Sequence, residues 1–286
     1  MPRTPRLFIA LALCAGLTAA AATLAADTAP VVLPSSADSA ALDAAIAGAW
    51  RSPANTARDK YRHPKDTLQF FGVRPDQSLI EITPGAGWYT EILAPLLRAR
   101  GHYFGIIEDP DSVAPASRTE TERANNQYDA KLAMRPDLYA LTQVRSIDPA
   151  APVLGPPGSA DVVLTFRNVH NWVMGNRQAA MFKAMYAVLK PGGTLGVVDH
   201  RANPGAATDG MHGYLTEQQV IDYATAAGFK LEAKSEINAN PKDSKDWPKG
   251  VWTLPPTLAL GSADRAKYVA VGESDRMTLR FVKPKN

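Results

Sequence analysis

The chain has 286 residues, 45% hydrophobic and 21% charged, a balance that allows a sizeable buried core and excludes a disordered chain. Lysine and arginine (31) nearly match aspartate and glutamate (28), and no basic stripe is present, so nucleic acid is not an expected partner. The single cysteine, Cys14, excludes a disulfide framework, a zinc–thiolate site and an iron–sulfur centre.

In chain order, residues 1–26 stand apart. Arg3 and Arg6 form a basic start, LFIALALCAGL an apolar centre, and TLAAD offers cleavage after Ala25 or Ala26. Those are the three parts of a secretory signal peptide. Residues 7–26 are also long enough for a membrane anchor, but TAAAATLAA is only weakly apolar, which favours cleavage. The mature chain is then expected to be periplasmic or secreted, without stable membrane insertion. It loses the only cysteine, which suits an oxidising compartment. Residues 27–40 (DTAPVVLPSSADSA) read as a flexible linker, and 41–286 as one domain.

Within that domain, ALDAAIAGAW (41–50) has helical apolar spacing, and a second helical stretch is broken at Pro64. From Leu79 short β-rich runs alternate with helical ones. SLIEI (78–82) precedes TEILAPLLRA, and HYFGII (102–107) precedes a polar helix at 117–133. LTQVRSI (141–147) and ADVVLTF (160–166) follow, then RQAAMFKAMYAVL, TLGVVDH (194–200) and TEQQVIDYATAA. Near-continuous apolar strands between helices predict a doubly wound, mostly parallel α/β sheet covered on both faces. FKLEAKSEI (229–237) and RMTLRFVK (276–283) have no helix of similar quality between them, so an antiparallel hairpin is expected to close the sheet edge.

Ligands of such sheets bind at the carboxyl ends of the strands, where the strand order reverses. The first strand–turn–helix reads Glu81-Ile82-Thr83-Pro84-Gly85-Ala86-Gly87-Trp88-Tyr89-Thr90. Gly85 and Gly87 permit a tight turn with close backbone approach, and the helix start offers unpaired N–H groups to an anion. A nicotinamide fingerprint needs a third glycine three residues after Gly87, where Thr90 stands, so an oxidoreductase is disfavoured.

This segment resembles motif I of class I S-adenosylmethionine-dependent methyltransferases, with Thr83 in place of the first glycine. Further likenesses follow in order over about residues 58–284. G-I-I-E-D (105–109) resembles the acidic end of strand two, and Asp148 falls where an acidic residue near the adenine is common. D-V-V-L-T-F-R-N-V-H-N-W (161–172) resembles motif IV, and V-L-K-P-G-G-T-L-G-V-V-D-H (188–200) the turn and strand five. G-W-Y-T-E-I-L-A-P and R-N-V-H-N-W are most similar to a group of exported bacterial methyltransferases. The resemblance implies a seven-stranded sheet, S-adenosylmethionine as cofactor and an acceptor that the sequence does not name. It places the cofactor at Glu81, Thr83, Gly85, Ala86, Gly87, Trp88, Glu108 or Asp109, Asp148 and Arg167.

The chemistry suits these residue types. The cofactor's carboxylate fits the N–H groups of Gly85 to Trp88, and its ammonium fits Glu81. Glu108 or Asp109 can accept from the ribose hydroxyls. Trp88 and Tyr89 either lie near the sulfonium or pack the first helix turn. If the acceptor must lose a proton, a base is needed. His170 after strand four, His200 after strand five and His212 in TDGMHGYLT are the candidates. Arg167 and Asn168 could orient the acceptor. A metal could be held by His200, His212 and Asp199, but no spacing compels one. His63 is expected to pack or cap, and His102 to be inert. Residues 238–265, with Trp247 and Trp252, suggest an ordered cover over the strand ends. The competing possibility is a catalytically silent exported binding protein with the same fold.

Overall fold

The computed structural model describes residues 35–285; the expected signal peptide, and the expected linker up to residue 34, lie outside them. Four helices come first: α1 (Ser36–Ile46), α2 (Pro53–Thr56), α3 (Asp59–Arg62) and α4 (Pro64–Phe70). The main alternation follows as β1 (Ser78–Ile82), α5 (Thr90–Leu97), β2 (His102–Glu108), α6 (Pro115–Met134), α7 (Pro136–Tyr139) and β3 (Gln143–Ile147). Then come β4 (Ala160–Phe166), α8 (Val169–Met174), α9 (Gln178–Val188), β5 (Leu189–His200) and α10 (Glu217–Ala226). The chain closes with β6 (Lys230–Ser235), a 3₁₀ turn at Gly250–Thr253, α11 (Arg265–Val271) and β7 (Arg276–Val282).

The seven strands form one sheet in the order β3-β2-β1-β4-β5-β7-β6. All pairs from β3 to β5 are parallel, and β7 runs antiparallel to both β5 and β6. The expected antiparallel edge is present, with β7 inserted between β5 and β6. The order reverses between β1 and β4, so the crevice at their carboxyl ends is the place for a ligand.

Side-chain alternation builds two cores, one per face. Ile80 and Ile82 of β1 join Val163, Trp172, Phe182 and Leu215 on one side. Leu79 joins Phe71, Leu93, Val162 and Phe166 on the other, and Glu81 shares that face by register. A carboxylate is therefore carried into an apolar layer.

Local chemistry explains several boundaries. The hydroxyl of Thr216 accepts from the Gln219 N–H while the Gln219 side chain returns to the Thr216 N–H, a capping box that starts α10. His63, at φ 40°, breaks the second helical stretch into α3 and α4 immediately before Pro64. Helix α1 begins at Ser36, inside the range expected as linker, because the Ser35 hydroxyl caps it by accepting from the Asp38 N–H. The Pro-Gly-Gly turn is absorbed into β5 as a register shift rather than preceding it. Helix α11 was not legible as a helix; it is short and mostly exposed, with Tyr268 its buried residue.

Candidate active site

The glycine turn follows β1 at the switch point. Gly85 has φ 57° and Gly87 φ 72°, both in the left-handed region that glycine adopts freely. A Cβ added at Gly85 would meet no atom within 4 Å, so this backbone faces open space. At Gly87 it would meet the Lys131 stem at 2.8 Å, because Lys131 of α6 crosses the turn to pair with buried Glu91. Among the described residues, the amides of Ala86 and Trp88 donate to no protein acceptor. Thr83, where the resemblance would have a glycine, also adopts a positive φ of 47°.

Glu81 is 3% exposed, and its Oε2 accepts the Tyr103 hydroxyl at 2.6 Å. Burial pushes its carboxyl up to about 7, against the Tyr103 hydrogen bond and the positive charges of Arg167 and Arg62. Thr90 bonds the same Tyr103 hydroxyl at 2.8 Å, so β1, β2 and α5 share one buried polar network. The Glu81 carboxylate as acceptor and the free amides beside Gly85 as donors fit an amino acid moiety, whose ammonium and carboxylate need opposite partners.

At the end of β2 the two carboxylates differ. Asp109 caps its own turn, accepting the Asp111 N–H at 3.0 Å and the Ser112 hydroxyl at 3.1 Å. Glu108 is half-buried, 3.5 Å from Arg177. Asp148 is exposed, and one of its oxygens accepts the Ala150 N–H. The Trp88 side chain is committed to packing. Arg51 and Arg62 lie over its ring at 5.1 and 4.7 Å, and its Nε1 donates to the Asn55 carbonyl at 3.0 Å. Tyr89 stacks on Phe166 with ring centroids 3.6 Å apart.

Across the crevice, Arg167 follows β4 at φ 62°, a second strained non-glycine position at this site. Asn168 donates to the Ile82 carbonyl at 2.9 Å, so it ties the end of β4 to the end of β1. His170 is 3% exposed, and its Nδ1 lies 2.8 Å from Oδ1 of Asp199. An ionised carboxylate only accepts, so Nδ1 is the donor, and in the neutral ring the lone pair is then on Nε2. His200 is close by, with ring centroids 5.1 Å apart, and its Nδ1 bonds the Ser274 hydroxyl. Burial, then His170, Arg167, Arg276 and Arg62, hold the His200 imidazole well below its ordinary value, so it is neutral near pH 7.

His212 does not join them. It is exposed, on the rim of a cleft of about 200 Å³ lined also by Asp209, Tyr214 and Lys245. His63 and His102 stand elsewhere, at the α3–α4 junction and at the start of β2. A cleft of about 430 Å³ opens beside His102, at the opposite end of the sheet from this chemistry. His170, Asp199 and His200 each offer a ligand atom within 4.8 Å of the others. Both Asp199 oxygens already accept hydrogen bonds, and arginines bear on His200. That positive field opposes a dication there.

Sequence reasoning missed the arginines. Arg58, Arg62 and Arg276 converge on buried Glu273, at 2.7, 3.3 and 2.9 Å. Burial raises the Glu273 carboxyl, but Arg62, Arg276, Arg58 and Arg167 outweigh it and hold it at about 2. Arg58 and Arg62 stand 215 and 211 positions before Glu273 while Arg276 follows it by three, so no local pattern signals the cluster. The cover over the strand ends is present in part: Trp252 sits edge-on to His170, with centroids 6.1 Å apart, and Trp247 donates to Asp243 at 2.6 Å.

No protein-family model matches the sequence, and no curated protein matches it. Among solved structures, the chain is similar to a SAM-dependent methyltransferase from Aquifex aeolicus, with TM-score 0.55 and 13% identity. That match covers 86% of this chain and 98% of the other. It is also similar to the (4+2)-cyclase SpnF, with TM-score 0.56 and 17% identity, over 87% of this chain and 94% of that one. At such identities the likeness is one of fold: this chain has the seven-stranded class I methyltransferase fold.

Proposed function

We propose that the protein is an exported S-adenosylmethionine-dependent methyltransferase whose acceptor loses a proton during the reaction. The observation that carries this reading is the pairing of two devices across one switch point. Buried Glu81 of β1 and the free amides of the Gly85 turn after it stand on one side, and the pair of His170 in α8, just after β4, with Asp199 of β5 on the other. When bound, the cofactor supplies an electrophilic methyl group on a sulfonium. The amides of Ala86 and Trp88 hold its carboxylate and Glu81 its ammonium. Glu108 takes the ribose hydroxyls, since Asp109 is occupied by its own turn, and Asp148 lies on the adenine side. Nε2 of His170 accepts the acceptor's proton, and Asp199 holds the ring in the required tautomer. Arg167 and Asn168 line the acceptor side. The likeness to a cyclase shows that the fold alone does not name a reaction, so the site residues carry the argument.

Isothermal titration with S-adenosylmethionine and its demethylated product tests the cofactor. Binding is expected, and Gly85→Val should weaken it at least about ten-fold, because a branched side chain would fill the open space beside the turn. Normal folding of that variant with unchanged affinity would place the ligand elsewhere. Tight binding with no turnover on envelope extracts would favour the silent binder.

Export rests on Arg3, Arg6, the apolar centre and the alanine-rich end of residues 1–26. Mass spectrometry of protein from its native host should find residue 26 or 27 at the N-terminus. An intact Met1 in a membrane fraction would make the segment an anchor. Among the described residues no helix is long and apolar enough to cross a membrane.

A further inference from the structure

We propose that Arg58, Arg62, Arg167 and Arg276 form a subsite for an anionic group, a carboxylate or a phosphate, carried by the methyl acceptor. The inference rests on the methyltransferase reading and adds the chemical class of the substrate.

Charge balance is the first argument. Three guanidinium groups meet the single carboxylate of Glu273, and the Arg167 guanidinium has no hydrogen bond or ion pair among the described residues. Elsewhere the protein neutralises an arginine generously. Arg201, immediately after β5, is met by Glu217, Glu236 and Asp275 at 3.0, 2.7 and 2.9 Å. The cluster thus has the opposite balance, four cations to two carboxylates even when Glu81, on which Arg62 and Arg167 also act, is counted with Glu273. Leaving such charge desolvated and uncompensated is costly, so the arrangement favours a ligand that completes it.

Unused donors are the second argument. Nη2 of Arg58, Nη2 of Arg62 and Nε of Arg276 are buried without a hydrogen-bond partner. Arg62 is 2% exposed and Arg276 3%, so solvent does not satisfy them. Guanidinium N–H groups in a fixed fork match the oxygens of a carboxylate or phosphate. The fork is held in advance. Trp88 lies under Arg62, Asn55 holds Trp88, and the Tyr61 carbonyl accepts from Arg276. Preorganised donors bind with little loss of side-chain freedom.

Position is the third. Arg167 follows β4 directly and precedes His170 by one turn of chain, and its left-handed backbone is held by the Arg167 N–H donating to the Val198 carbonyl at 2.7 Å. Arg62, Arg167 and Arg276 all act on His200, and Arg62 and Arg167 also act on Glu81. The cluster therefore borders both the proton acceptor and the cofactor's amino acid end. A role limited to tying α3 to β7 through Glu273 would not need Arg167.

The test titrates the chain with inorganic phosphate and with S-adenosylhomocysteine, singly and together, in wild type and Arg167→Met. Arg167 is half-buried and its guanidinium makes no hydrogen bond or ion pair, so the variant should fold; far-UV circular dichroism checks this. Phosphate should bind, with affinity weakened about ten-fold or more in Arg167→Met. Saturating phosphate should leave homocysteine-product affinity within about two-fold, showing that both sites fill at once. Competition between the two would overturn the proposal by assigning the arginines to the cofactor's own carboxylate. Absent phosphate binding, or binding unaffected by Arg167→Met, would also overturn it. Phosphate binding through Arg167 in a chain that ignores S-adenosylhomocysteine would keep the anion site and remove the methyltransferase reading, and with it the acceptor as the anion's source.

Discussion

Oδ1 of Asp199 accepts from Nδ1 of His170 at 2.8 Å, while the same carboxylate accepts the backbone N–H of His170 and of His200. One buried side chain at the end of β5 thus fixes the ring tautomer of the residue that opens α8 and the backbone that carries it. The pair resembles, in its geometry alone, the orienting half of a base whose other nitrogen faces the reaction.

If Nε2 of His170 receives the acceptor's proton, His170→Ala should lower turnover about 10²–10⁴-fold and leave cofactor affinity within a few-fold. Asp199→Asn should lose turnover too, since an amide can stabilise the wrong tautomer. Steady-state rates beside cofactor titrations measure both. Full activity in His170→Ala would pass the role to His200.

Glu81 sets a pH dependence. Its carboxyl is near 7 when folded and near 4.5 when exposed, so the folded chain holds the extra proton between those values. The stability this provides is fully present below about 4.5 and is lost as pH rises through about 7. Binding an ammonium needs the ionised form, so cofactor affinity should rise over the same interval. Tyr103, Tyr128, Thr90, Arg167 and Arg62 are the groups that face it. Glu81→Gln should flatten both profiles, gain melting temperature relative to wild type as pH rises, and lose at least about ten-fold in cofactor affinity. A wild-type affinity that does not change between pH 5 and 8 would remove Glu81 from the ammonium site.

Thr83 holds a β-branched side chain at φ 47°. The left-handed region costs an L-residue about 1–2 kcal/mol, and glycine's greater unfolded freedom offsets about 0.5–1 kcal/mol of the relief. Thr83→Gly should therefore raise stability by about 0.5–1 kcal/mol, read as a higher denaturant midpoint at unchanged slope. A lower midpoint would show that the threonine side chain makes contacts worth more than the strain.

The strands, their helices and the glycine turn were legible in the sequence because they depend on neighbours in the chain. Apolar runs such as ADVVLTF and TLGVVDH name buried parallel strands, and Gly85 and Gly87 name a tight turn wherever they occur. The same local logic brought His170 and His200 to one sheet edge, since they stand just after β4 and at the end of β5, which run in parallel. It could not separate His212 from them, because a loop's return path is set by what it packs on. Nor could it choose between Glu108 and Asp109, whose fates depend on Arg177 and on a turn closed by Ser112. Trp88 looked equally fit to meet a cofactor or a core until Arg51 and Arg62 were found on its ring. The arginine cluster is the clearest case of tertiary control. Arg58 and Arg62 lie before β1, Arg167 after β4, and Glu273 and Arg276 beside β7, so only folding brings their charges together. Periodicity and turn chemistry act over a few residues, whereas Coulomb forces and burial act through space, and the second kind decides what a site can hold.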